Sequence, residues 1–368
     1  MLSVDEIGRT RGIITMSGTA ATVSGGPTDI VWDITYACPL RCTHCYSESG
    51  RRPTRQLTPA ELLRVADAML SLRPSTIVLA GGEPLVVRGL SDVVDRITAA
   101  GVEVLLYTSG WSLSPTMIDE VVARCAAVSV SLDGATAEVH DAVRGRSGSF
   151  DRAMRSLTML NDAVRERRRA GGTPFEFGID ATIVRSSFDQ VASFCEDIAP
   201  RFSELSYVAL GPAMPIGLGS RAVFVEHELL DDEQVDRLTA PEQLAYLRSL
   251  APPPVQVSVT DNRLLSYRPD LLARGRIPAM QVEPDGLVRA MAIYEGTVGS
   301  LLTDPPAELW RRSVDRWRDP FVVDTLTPVR TMREWAEATR RLDYRFGTDD
   351  DRARIDNRPV FLSLSPSR

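Results

Sequence analysis

The stretch DIVWDITYACPLRCTHCYSESG, from Asp29 to Gly50, starts as an apolar run and ends in a loop crowded with thiols. DIVWDIT reads as a buried-type strand that feeds directly into Cys38, Cys42 and Cys45, three of only five cysteines in 368 residues. Outward from this point, apolar runs and helical patterns keep alternating. TPAELLRVADAMLSL follows, with Thr58 as N-cap and Glu61 three positions on, a capping-box pattern. Leu62, Val65, Ala66 and Met69 then share one helical face. STIVLAGG is the second strand and Leu90 to Ala100 a helix. VEVLLYTSG is the third strand, and Pro115 to Cys125 is a helix that its proline opens. AAVSVSLDG, a long helix over Asp151 to Arg168, FEFGIDATIV, a helix over Phe188 to Ile198 and LSYVALGP complete the series.

Six strand–helix units imply a parallel sheet, because parallel neighbours need crossover connections and helices supply them. Such sheets keep their chemistry at the carboxyl ends of the strands. The cysteine loop, GGEP (Gly81–Pro84), TSG, LDG and GPAMP each follow a predicted strand, so the polar and glycine-rich punctuation collects on one face. After Gly219 the rhythm changes. APPPVQVSVTD reads as a linker and a short strand, MQVEPDGLVRAMAIYEG as two short strands around a PDG turn, and TMREWAEATRRLDYRF as a helix. The charged tail from Gly347 is expected to be loosely ordered at its end.

A formal charge of −7 with no basic stripe argues against nucleic-acid binding, which needs clustered cations. The arginine-rich RERRRAGG from Arg165 fits a solvated helix end. No apolar run reaches the ~18 residues of a membrane span, and MLSVDEIGRTRG lacks the apolar centre of a secretory signal. Five unevenly spaced cysteines do not form a disulfide framework, so the expected compartment is the cytoplasm, where thiols serve as metal ligands.

Cys38, Cys42 and Cys45 have the spacing C-x-x-x-C-x-x-C. Three thiolates on one loop can bind three irons of a four-iron, four-sulfur cluster and leave the fourth iron open to an exogenous ligand. Two other readings stand beside this one. The same thiols with His44 could hold zinc, although the adjacency of His44 and Cys45 makes convergence on one ion awkward. Cys42 and Cys45 alone form a C-x-x-C, a redox motif that normally opens a helix. Cys125 and Cys195 sit in apolar helical contexts as packing residues, and His140 and His227 read as surface residues.

The cysteine loop after the first strand, with His44 just before its last cysteine, resembles the signature of the radical SAM enzymes. GGEP after the second strand resembles their S-adenosylmethionine-binding motif. The resemblance covers about residues 28 to 215. It implies a partial (β/α)6 TIM-like barrel, one 4Fe-4S cluster on Cys38, Cys42 and Cys45, and S-adenosylmethionine chelating the open iron. Gly81, Gly82, Glu83 and Pro84 would then bind the cofactor, with Glu83 at its ammonium. By position the resemblance adds Ser109, Ser131, Asp133, Arg144, Leu210 and Met214, the last two against adenine. Reductive cleavage would yield a 5′-deoxyadenosyl radical that takes hydrogen from a substrate, with an electron donor such as flavodoxin or ferredoxin.

The segment from Ile277 to Trp310 resembles SPASM or twitch extensions, but no cysteine follows Cys195. Ala279 or Met280, and Ala290 or Met291, stand where such extensions carry cluster ligands. The expected organisation is an N-terminal extension over 1–27, a radical SAM core over 28–219, a smaller α+β module over 220–346 and a tail over 347–368. A cluster-poor extension favours a redox-neutral outcome, on a natural-product peptide first. The alternatives are a sugar, nucleoside or amino-acid substrate, and a non-catalytic metal-binding scaffold.

Overall fold

The computed structural model describes residues 26–53, 55–263 and 279–361. Of the N-terminal extension expected over 1–27, all but Gly26 and Pro27 lies outside the described residues, as do 362–368 of the tail. Six strands run parallel in sequence order: β1 (Asp29–Thr35), β2 (Thr76–Gly81), β3 (Glu103–Thr108), β4 (Ala127–Ser131), β5 (Glu176–Ile183) and β6 (Tyr207–Pro212). Each pairs with the next in parallel register, as their near-continuous apolar character requires of strands covered on both faces. The result is an open, mixed α/β barrel.

Later residues extend the same sheet at both edges. β7 (Gln256–Val259) pairs in parallel with β6, and β8 (Met280–Val282) pairs in parallel with β1. β9 (Leu287–Arg289) and β10 (Thr297–Ser300) continue outward as an antiparallel meander around the PDG turn. Residues on either side of position 219 therefore share one ten-stranded sheet.

α1 (Pro59–Leu70) forms as its pattern predicts, burying Leu62, Val65, Ala66 and Met69. Its capping box is complete: Glu61 N–H donates to Thr58 Oγ1 at 3.3 Å and Thr58 N–H to Glu61 Oε2 at 3.0 Å. α2 (Leu90–Ala99) and the long α5 (Ser149–Arg169) also match their patterns. Other elements differ. α3 (Pro115–Glu120) stops early because Val121 leaves helical dihedrals at φ −128, and a single 3₁₀ turn completes the segment. The helix expected over Phe188 to Ile198 is a succession of 3₁₀, α and π turns, which buries Phe194, Cys195 and Ile198 together. A further helix, α4 (Ala137–Arg144), lies where the pattern gave none.

The first part of the tail is helical, and the end for which loose order is expected lies outside the described residues. Asp349–Asp356 is a helix with a Thr348/Asp351 capping box, held by ion pairs to distant parts of the chain. Arg354 and Arg358 (Nη2 at 2.9 Å) grip Glu48, and Arg354 also meets Glu295 at 2.9 Å. Arg52 and the fully buried Arg289 complete this network with Glu283 and Glu295. All 42 basic residues of the chain are arginine, the side chain whose planar fork suits buried, multiply bonded pairs.

Candidate active site

The loop carrying Cys38, Cys42 and Cys45 leaves β1 and is fixed by its backbone. Gly50 N–H donates to Tyr36 O at 2.6 Å, closing the base of the loop. Arg41 and Thr43 donate to the carbonyls of Arg144 (3.0 Å) and Val143 (2.9 Å). Those carbonyls belong to the last turn of α4, whose C=O groups have no partner within the helix. Gly145 ends α4 at φ +65, and a Cβ there would sit 2.3 Å from Arg41 O. Helix end and cysteine loop thus meet backbone to backbone. From the opposite side, Leu218 N–H donates to Cys45 O at 3.0 Å.

All three thiols face one cavity of about 380 Å³ at the carboxyl ends of the strands. Of the residues singled out from the sequence, His44, Gly81, Gly82, Ser109, Ser131, Arg144, Leu210 and Met214 also line it. Glu83, Pro84 and Asp133 do not; they stand behind the lining.

Asp133 is fully buried and organises that wall. Arg144 Nε lies 2.7 Å from its Oδ2, His44 Nε2 lies 2.9 Å from the same oxygen, and Thr182 N–H donates to Oδ1 at 3.0 Å. Burial opposes its charge, but Arg144 and then His44 outweigh this and hold its carboxyl below the usual range. His140, read from the sequence as a surface residue, is instead 1% exposed, and its Nδ1 accepts Asp133 N–H at 3.1 Å. Burial, aided by Arg144, pushes His140 down to about 4, so it packs as a neutral ring.

Glu83 is also fully buried. Thr108 Oγ1 (2.7 Å), Ser109 N–H (3.0 Å), Leu85 N–H (3.3 Å) and the Ser109 hydroxyl all donate to its carboxylate. It braces the turn, and Gly81 and Gly82 are what reach the cavity. Gly81 has φ +107, and a Cβ on Gly82 would lie 2.2 Å from Ala37 O. Both glycines are therefore required by the close approach of the turn to the chain leaving β1.

The thiols fit an iron–sulfur cluster better than a single ion. Among the described residues, no three Cys, His, Asp or Glu side chains converge as one metal ion requires. On a four-iron cluster each thiolate takes its own iron, so the ligands ring a volume. His44, the fourth ligand of the zinc reading, is committed to Asp133. Burial, then Cys42, pushes the Cys38 thiol up to about 12, and burial pushes Cys42 up to about 11 against the pull of Arg144. Buried together, these thiols need a strongly cationic partner to ionise, which cluster irons supply.

Several lining residues were not singled out from the sequence. Asp180 on β5, Tyr107 on β3, Asn262, and Gln281 on β8 all face the cavity. Gln281 is set by donating to Asp33 Oδ2 (2.8 Å) and accepting from Ile293 N–H (2.7 Å). An ionisable residue at the centre of a strand, as in FEFGIDATIV, is the signal that could have marked Asp180.

Fold and site together define an open α/β barrel with a thiolate loop at its carboxyl edge. Residues 32–173 match the family described as the Radical SAM superfamily, and over that segment the chain is similar to it. Mycofactocin maturase MftC of Mycolicibacterium smegmatis is 36% identical over 192 residues, which cover 51% of this chain and 45% of that protein. The match thus spans less than half the length of that relative. An AdoMet-dependent heme synthase of Nitratidesulfovibrio vulgaris is 25% identical over 324 residues, 81% of this chain and 83% of that protein. Streptococcus suis SuiB, solved with S-adenosylmethionine, shares the fold with a TM-score of 0.61 at 13% identity, covering 82% of this chain and 68% of SuiB. Among the described residues, no helix is long and apolar enough to cross a membrane.

Proposed function

We propose that the chain is a radical SAM enzyme that tailors a peptide, with Cys38, Cys42 and Cys45 holding one 4Fe-4S cluster. The observation that carries this reading is the convergence of three thiols, the Gly81–Gly82 edge and Arg144 on one cavity. When bound, the cluster and S-adenosylmethionine supply a 5′-deoxyadenosyl radical that abstracts substrate hydrogen, with the electron coming from a flavodoxin- or ferredoxin-type donor. The protein's part is positional. Gly81 and Gly82 present backbone at the cavity edge, braced by Glu83. Arg144 and Ser131 offer donors to the cofactor's carboxylate and hydroxyls, and Asp133 fixes Arg144 and His44. Leu210 and Met214 give an apolar wall for a flat ring.

The peptide assignment draws on the relatives: MftC is named a maturase, AlbA of Bacillus subtilis a bacteriocin biosynthesis protein, and SuiB has been solved with its precursor peptide. A redox-neutral outcome is part of the proposal. Cys125 and Cys195 are packed in the core, no cysteine follows Cys195, and Met280, Ala290 and Met291 are core residues as well. These positions offer no thiolate for an auxiliary cluster that could accept a second electron.

A second reading is favoured by the alignment to the heme synthase, which runs along four-fifths of both chains. Under it the substrate is a small molecule and the outcome a decarboxylation, epimerisation or elimination. Anaerobic reconstitution with iron and sulfide should give about four irons per chain. With dithionite it should form 5′-deoxyadenosine from S-adenosylmethionine, and Cys38→Ala, Cys42→Ala or Cys45→Ala should each abolish this. Wild-type cleavage in any of the three would refute the proposal, and about eight irons would refute its redox-neutral part.

A further inference from the structure

Asp180 lies deep in the cavity, three residues before β5 ends at Ile183. The floor around it is apolar: Val31, Val78, Ala80 and Ala209 line it, above a packed layer of Leu105, Ala127 and Tyr207. The Tyr207 ring fits there because Gly178 faces it, where a Cβ would lie 2.3 Å from the ring. Asp180 sits in register between Ser131 of β4 and Ala209 of β6, and the Tyr107 side chain hydrogen-bonds to it. The charged and titratable groups facing it are Tyr107 on β3, Asp133 beyond β4, Arg144 on α4 and Tyr207 on β6. Arg144 pairs with Asp133 rather than with Asp180, so Asp180 is a carboxylate without a cation of its own at the end of an apolar-walled space.

We propose that Asp180, oriented by Tyr107, is a substrate-recognition residue that takes an amine or other cationic group carried at the end of an apolar stem. The substrate chemistry this selects is a lysine-like side chain, presented so that its methylenes lie against Val31, Val78, Ala80 and Ala209. This inference rests on the cavity being the substrate site of the enzyme proposed above. The surroundings agree with it. Burial first, then the negative charge of Asp133, push Asp180 up to about 7, against the pull of Arg144 and the Tyr107 hydrogen bond. A group held this way gains most from an incoming cation.

The test uses reconstituted enzyme with S-adenosylmethionine and three capped amino acids: N-acetyl-lysine methylamide, its norleucine analogue and its glutamate analogue. The carboxyl carbon of Asp180 is followed by NMR in ¹³C-aspartate protein and assigned by its loss in Asp180→Asn. The lysine probe should bind about tenfold more tightly than norleucine, lower the Asp180 midpoint by about one pH unit and gain affinity as pH rises through 7. Glutamate should not bind. Asp180→Asn should lose the preference for lysine over norleucine, and Tyr107→Phe should raise the Asp180 midpoint. Equal binding of lysine and norleucine, or a flat pH profile in the wild type, would overturn the inference even if Asp180→Asn failed to fold. Formation of 5′-deoxyadenosine by the same wild-type preparation is scored separately. Its absence counts against the radical reading, whereas a missing lysine response beside intact cleavage counts against Asp180 alone.

Discussion

Replacing Asp133 with Asn should destabilise this protein more than most single substitutions, and for a calculable reason. Three groups meet the Asp133 carboxylate: the Arg144 guanidinium as an ion pair with Nε at 2.7 Å, His44 Nε2 at 2.9 Å and Thr182 N–H at 3.0 Å. An amide offers one oxygen and turns an NH₂ toward the remaining donors. Arg144, only 9% exposed, is left as an unpaired cation beside the neutral Cys42 thiol, 3.6 Å away. Removing one partner of a buried pair costs about 3–5 kcal/mol. Because Arg144 borders the cavity, water can reach its outer edge, which argues for about 3 kcal/mol, the lower end. Urea unfolding of the apo-protein at pH 7 measures this. The control is Asp133→Asn combined with Arg144→Met, which removes the orphaned charge and should recover at least half of the loss. A cost below about 1 kcal/mol, or a double variant as unstable as the sum of the singles, would refute the assignment of Asp133 as the anchor of this wall.

Gly82→Ala should cost about 3 kcal/mol in the same assay, because its Cβ would meet Ala37 O, a backbone atom unable to step aside. An unchanged urea midpoint would mean that the turn is not seated on β1. Asp180→Asn should be pH-dependent in its effect on stability. Asp180 has a folded-state value raised from 3.8 to about 7, so its contribution is fully present below pH 3.8 and lost as pH rises through 7. The amide escapes that loss, so between pH 5 and pH 8 the variant should gain roughly 2.6 kcal/mol relative to the wild type in thermal unfolding. Glu48→Gln should cost about 2 kcal/mol by removing the carboxylate that Arg354 and Arg358 share, with Glu295 still holding Arg354, and should speed loss of cluster absorbance to a chelator. Equal rates of loss would separate this ion-pair network from the cysteine loop.

The parts legible in the sequence are those whose cause is local. Strand periodicity and the Thr58/Glu61 box both act within a few residues, and the structure carries each of them. What was illegible depends on distant partners. Glu83 reads as a cofactor ligand beside Gly82, yet its donors Thr108 and Ser109 come from the end of the next strand. His140 reads as a surface residue because the Asp133 amide that engages it lies seven positions back across a turn. α4 is short and weakly apolar, and its end is completed by the amides of Arg41 and Thr43, about a hundred residues earlier. The pairing of β8 with β1 joins positions some 250 residues apart, beyond any periodicity argument.

The grip of Arg354 and Arg358 on Glu48 spans 306 and 310 positions of sequence. Glu48 follows Cys45 by three residues and holds a left-handed backbone, φ 55, that a glutamate does not favour unaided. At about 5–20 residues per second of synthesis, the thiol loop emerges roughly 15–60 s before the arginines that clamp its flank. During that interval the flank of the loop lacks both of these ion pairs. Translation of the helix that carries Arg354 closes that interval.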